Sequence, residues 1–152
     1  MSTNSRKLRL RGIVAATTLA LAGSSFAAQV ETVGLEPGKQ FDRFVVKFKE
    51  DAPEAESPAA LRRALEVASI GANQAIQANR LQRGDRTKST RPISARHLRR
   101  MALGADVITT SQKLAPEDAE ALMRQIAANP NVEFVQVDRL LQHTLTPNDS
   151  SY

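Results

Sequence analysis

Hydrophobic and polar positions alternate over 44–49. Phe44, Val46 and Phe48 share one side of an extended chain, and Val45, Lys47 and Lys49 share the other. A strand with one buried and one wetter face is expected there. A helical spacing follows, with Leu61, Leu65, Ala68 and Ala72 on one stripe and Arg62, Arg63 and Glu66 turned away. Ser57 before Pro58 supplies an N-cap and a proline at the first helical position. The pattern carries the helix past Gly71 toward 78, although glycine weakens a helix interior. The acidic, Pro53-containing stretch 50–57 reads as a loop.

A hairpin is expected from 98–103 and 107–111, turning around Gly104, Ala105 and Asp106, because the second arm begins with the β-branched run Val107, Ile108, Thr109, Thr110. A second helix starts at Pro116. Glu117 and Asp118 occupy its first turn, where the helix dipole favours acids, and Ala119, Leu122, Met123 and Ile126 share one face. Asn129 and Pro130 end it. The last strand, 132–138, carries apolar residues on both faces and breaks its alternation at Phe134 and Val135, as a central or bulged strand would. Residues 28–42, with Gly34, Pro37 and Gly38, read as an irregular lead-in, and 141–152 as an exposed tail. Strand, helix, strand, strand, helix, strand is the order of an α+β, ferredoxin-like split βαββαβ domain over 43–140. Its sheet would have four antiparallel strands, with two helices on one face.

The first 27 residues follow another logic. Arg6, Lys7, Arg9 and Arg11 precede the apolar stretch 13–22, and small residues follow at Ser25 and Ala27. That is the three-part layout of a secretory signal peptide, cut by signal peptidase between Ala27 and Ala28. A cut after Ala28 would put the bulky Phe26 in a small-residue slot. About ten residues interrupted by two threonines are too few to span a bilayer, so no stable membrane insertion is expected. The formal net charge is +5, of which the four leader positives account for most, leaving +1 on 28–152. The exported remainder suffices for one modest domain.

The chain has no cysteine and only two histidines, His97 and His143. Disulfides, thiol chemistry and zinc ribbons are excluded, and no metal site or cofactor is expected. No nucleophile elbow, phosphate loop or zinc-protease motif occurs, so no catalytic residue is assigned. Eight basic residues over 80–100 stand against the single acid Asp85, with no aromatic among them. A nucleic-acid-binding ferredoxin-like domain is the rival this run raises. The stacking platforms of single-strand readers are missing, so the run reads as a solvated connection and nucleic acid is not an expected partner.

Three segments taken together carry a resemblance: 44–49 (FVVKFK), 114–122 (LAPEDAEAL) and 129–138 (NPNVEFVQVD). Their order and spacing resemble the pro-domain of secreted bacterial subtilisin-like serine proteases, whose pattern is an opening strand, a late helix carrying E-A-x-x-L, and a closing strand ending in an acid. The resemblance covers about 41–144. It implies a covalently attached chaperone and product-like inhibitor, whose sheet packs on the protease catalytic domain, in cis or in trans. Its tail would lie extended in the active-site cleft. By that resemblance the inhibitory tail is Leu141, Gln142, His143 and Thr144, with the cleaved bond near Thr144, or at Leu145 or Thr146, and Leu141 in an apolar pocket. Asp138 is the acid aimed at helix N-termini of the protease, or else a strand-end acid in water. The chain would then be a pro-region excised from a longer secreted precursor, a truncated product of the same gene, or a free-standing inhibitor of the same fold.

Overall fold

The alternation in the first long strand places Phe44, Val46 and Phe48 in one hydrophobic cluster with Leu61, Leu65, Ala72, Ile108, Leu122 and Val135. The computed structural model describes residues 28–84 and 91–138. Along them run β1 (Gln29–Glu31), β2 (Phe41–Phe48), α1 (Pro53–Glu56), α2 (Pro58–Gln82), β3 (Ala95–Arg100), β4 (Ala105–Leu114), α3 (Pro116–Ala127) and β5 (Val132–Val137). The strands make one sheet in the order β1-β5-β2-β4-β3. It is a mixed α+β fold.

The expected four-stranded antiparallel sheet is corrected in two respects. There are five strands, and the added one, β1, pairs parallel to β5 through Gln29 with Phe134, Val30 with Val135 and Glu31 with Gln136. The other four keep the antiparallel order β5-β2-β4-β3. β1 has three residues, too few for an alternation to register, and it lies in what the glycines and proline mark as irregular lead-in. Its position turns β5 from an edge strand into an interior one, which accounts for apolar side chains on both faces of β5. The broken alternation has a second cause. Lys47 pairs with Phe134 and Phe48 with Val132, so Glu133 is an extra residue, and Val132 and Val135 both reach the core.

α2 and α3 cross the same face and close the core. Ser57 caps α2, its Oγ accepting from the Ala60 N–H at 3.4 Å, and the helix runs on to Gln82. Gly71 is tolerated because α3 approaches there: a Cβ on it would run into the side-chain amide of Gln125. Arg80 and Asp118 tie the helices together at 2.8 Å. The expected 50–57 loop holds α1, a short helix with Pro53 at its first position. The hairpin sits earlier than the sequence suggests, with its turn at 101–104. There the Met101 N–H donates to the Ala105 carbonyl at 2.7 Å, and Gly104 takes φ +74°. Of the basic run, Arg80 lies in the last turn of α2 and 95–100 forms β3, while 85–90 lies outside the described residues.

The return from α2 to β3 is fixed by one side chain. Asn73 Nδ2 donates to the Ile93 carbonyl, and the Ile93 N–H donates to Asn73 Oδ1, both at 2.9 Å, while the Ile93 side chain is buried. Asn73→Ala leaves two backbone groups beside the core without partners. It should cost about 1–3 kcal/mol, read as a lower urea midpoint. A midpoint equal to wild type would show that water replaces the amide.

Candidate docking face

The sheet has a second face that no helix covers. On it Val45, Ala105 and Val107 are only 5, 7 and 1 % exposed, yet none belongs to the helix-side cluster. Their shielding is local. Lys47 Nζ donates to the Leu103 carbonyl at 2.9 Å, which draws the 101–104 turn toward the sheet. Gly104 permits the approach, since its positive φ suits glycine and a Cβ there would lie 3.1 Å from that Nζ. Across the sheet, the segment after β1 turns back through the Leu35 N–H donating to the Thr32 carbonyl at 2.8 Å. Between these borders lies an open groove of about 400 Å³, lined by Val33, Val45, Met101, Gln136 and Asp138 among others. Val33 and Leu103 stand almost fully exposed, at 88 and 86 %. An apolar centre with a polar rim is the anatomy of a protein-binding surface.

Asp138 closes β5 on the rim of this groove. Its N–H donates to the Arg43 carbonyl at 3.0 Å, and its Oδ2 lies 3.5 Å from Arg43 Nε, so the carboxylate already has a partly exposed partner on its own sheet. Ala28 is partly buried against the core just before β1. Ala27 and the tail residues Leu141, Gln142, His143 and Thr144 lie outside the described residues. The sequence pattern underrated this face. The doublets Val45-Val46 and Val107-Ile108 put an apolar residue on each side of both central strands, and they are the signal that a second face is also apolar.

On the helix side of the sheet, beside the same hairpin turn, lies a polar cluster built around Asp106. Asp106, expected in a turn, lies in β4 with its side chain 1 % exposed. Arg100 grips it at two points, Nε to Oδ1 at 3.0 Å and Nη2 to Oδ2 at 2.9 Å, and His97 Nε2 is 3.0 Å from Oδ1. The Arg100 guanidinium also donates to the Ala55 and Glu54 carbonyls. Its hydrogen bond to Asp106 holds it above its ordinary pKa, with burial working against that rise. Glu54 in turn accepts from Asn129 at 2.8 Å and Asn131 at 2.9 Å, fastening α1 to the α3–β5 turn. Every oxygen of these two carboxylates has a partner, so the cluster is a fastening. No group of three or more metal-ligating side chains is gathered among the described residues. Nor is any helix among them long and apolar enough to cross a membrane.

No protein-family model matches the chain, and no solved structure matches it. Two curated proteins do. An extracellular protease of Xanthomonas campestris pv. campestris is 36 % identical over 143 residues, which is 94 % of this chain and 22 % of that protein. An extracellular basic protease of Dichelobacter nodosus is 31 % identical over 110 residues, 72 % of this chain and 15 % of that protein. The chain therefore spans about a fifth or less of the curated relatives it matches, and it is similar to one segment of extracellular proteases.

Proposed function

We propose that this chain is the pro-region of an extracellular subtilisin-like serine endopeptidase, acting as its intramolecular chaperone and product-like inhibitor and not itself catalytic. The observation that carries the reading is the unequal coverage: 94 % of the chain answers to 22 % of a protein named an extracellular protease. Residues 1–27 are the export signal, removed between Ala27 and Ala28. The uncovered sheet face docks on the catalytic domain through the groove lined by Val33, Val45 and Met101, with the exposed Leu103 beside it. In the complex the chain beyond Asp138 reaches the active-site cleft, where Leu141 fills an apolar pocket and Gln142, His143 and Thr144 lie extended. Backbone pairing of that strand blocks the cleft without any catalytic group on the inhibitor. Asp138 exchanges its partner Arg43 for a helix N-terminus of the protease, a contact worth about 0.3–1 kcal/mol.

Residues 28–152, added to the Xanthomonas campestris protease freed of its own matching segment, should slow peptide hydrolysis at micromolar concentration. They should also raise the yield of active protease refolded from denaturant. Ending the domain at Asp138 should weaken inhibition by about tenfold or more, roughly 1.4 kcal/mol for each factor of ten, while the help to refolding persists. Neither slowed hydrolysis nor improved refolding at micromolar domain would refute the pro-region reading.

A further inference from the structure

The register of the sheet aligns charges of opposite sign at its two edges. Across the uncovered face, Glu31 of β1 stands opposite Gln136 of β5, Gln136 opposite Val45 of β2, Val45 opposite Val107 of β4, and Val107 opposite Arg99 of β3. A neighbouring row runs from Asp138 through Arg43 and Thr109 to Arg96. Each row begins in a carboxylate on the β1–β5 side and ends in a guanidinium on β3. Five strands make four intervals of about 4.8 Å, so the backbone positions of Glu31 and Arg99 lie about 19 Å apart across the sheet. Glu31, Arg96 and Arg99 are exposed, and none has an ion-pair partner among the described residues. Charges that only guard sheet edges against pairing need no particular sign. Here the sign changes across the sheet, from acids on the β1–β5 side to cations toward β3, with Arg43 and Lys47 of β2 already on the cationic side and Val45 and Val107 between the ends of the first row.

We propose that this polarity sets the orientation of the protease domain on the sheet. The partner surface presents carboxylates to Arg96 and Arg99 on β3, a cation to Glu31 at the other edge, and an apolar patch to Val45 and Met101 between them. This rests on the pro-region reading and adds to it the charge pattern of the partner. Turned by half a revolution in the plane of the sheet, the same partner would set like charges against each other at both edges. Complementary polarity acts mainly on the rate of encounter and the choice of orientation.

The test is the association rate of residues 28–152 with the same protease, taken from inhibition progress curves. Arg96→Glu with Arg99→Glu should slow association by about tenfold or more at 0.01 M salt, where the screening length is about 30 Å. The gap should shrink at 0.15 M, where it is about 8 Å. Arg62→Glu with Arg63→Glu, on the exposed side of α2, changes net charge equally and should leave the rate near wild type. Circular dichroism checks that both variants fold. An equal slowing in both variants would mean that net charge acts without orientation, and would overturn the proposal. So would an unchanged rate in the β3 variant, with the pro-region reading left standing. A wild-type dimer lost in the β3 variant, with inhibition kinetics unaltered, would assign the face to a second copy of the chain and also overturn it. If wild-type domain neither inhibits nor assists refolding, both readings fall together.

Discussion

Replacing Arg100 by alanine is expected to cost the domain about 3–5 kcal/mol of folding stability, the range for removing one partner of a buried ion pair. Against the roughly 5–15 kcal/mol typical of a domain, that is about a fifth of the total or more. The magnitude comes from Asp106. Its side chain is 1 % exposed whereas that of Arg100 is 43 % exposed, so the two halves of the pair are unequal. Without the guanidinium, a carboxylate in the interior keeps only His97 as a partner. The Ala55 and Glu54 carbonyls lose their donor as well. Asp106→Asn is the milder change, because the guanidinium left behind can turn to water; about 1.5–3 kcal/mol is expected, the worth of hydrogen bonds to a charged group. The double replacement by alanine should cost less than the sum of the single ones, since no buried charge remains.

Urea unfolding of residues 28–152 measures all three through the shift in midpoint at constant slope. The arginine side adds no acid sensitivity. A guanidinium whose folded pKa is raised contributes its full share at every pH below its ordinary value and loses it only in strong alkali. Should Arg100→Ala cost under about 1 kcal/mol, Asp106 would have to be reached by water and the pair would count as a surface contact.

Asp106 also marks where sequence reasoning stops. The signals of α3 were local and sufficient: Pro116, two acids in the first turn, an apolar stripe, then Asn129-Pro130. β2 was legible because its alternation spans Phe44 to Phe48 over a single core. The sequence pattern places Asp106 in the turn, since an acid close after a glycine such as Gly104 is a common turn signal. What holds it in a strand is Arg100, on the other arm of the same hairpin, and a two-point contact between arms leaves no trace in periodicity. β1 is harder still. Three residues acquire strand geometry only by lying beside β5, more than a hundred positions later, so nothing local distinguishes them. The docking face was half visible. Its apolar doublets are in the sequence, but the ordering of Glu31, Asp138, Arg96 and Arg99 into opposed edges exists only once β1 and β3 are known to bound the sheet.

Phe44 and Val45, adjacent in sequence and opposite in direction, separate the two roles of the sheet. Phe44 is fully buried and stands in register between Ile108 and Val137 under the helices, so Phe44→Ala leaves a cavity that packed helices cannot close. A loss of about 3–5 kcal/mol is expected. Val45→Ala removes two methyl groups from a side that opens on a groove, where solvent refills the space. About 1.5 kcal/mol is expected, from roughly 0.8 kcal/mol per group and no cavity. Inhibition should divide the other way. Phe44→Ala weakens it only by depleting folded domain, so sucrose, which favours burial, should restore it. Val45→Ala removes part of the apolar centre of the docking face, and a loss of about tenfold should persist in sucrose, about 1.4 kcal/mol of binding. Equal stability losses in the two variants would mean that the second face is as closed as the first. Inhibition rescued in both would mean that Val45 supports the fold and does not touch the protease.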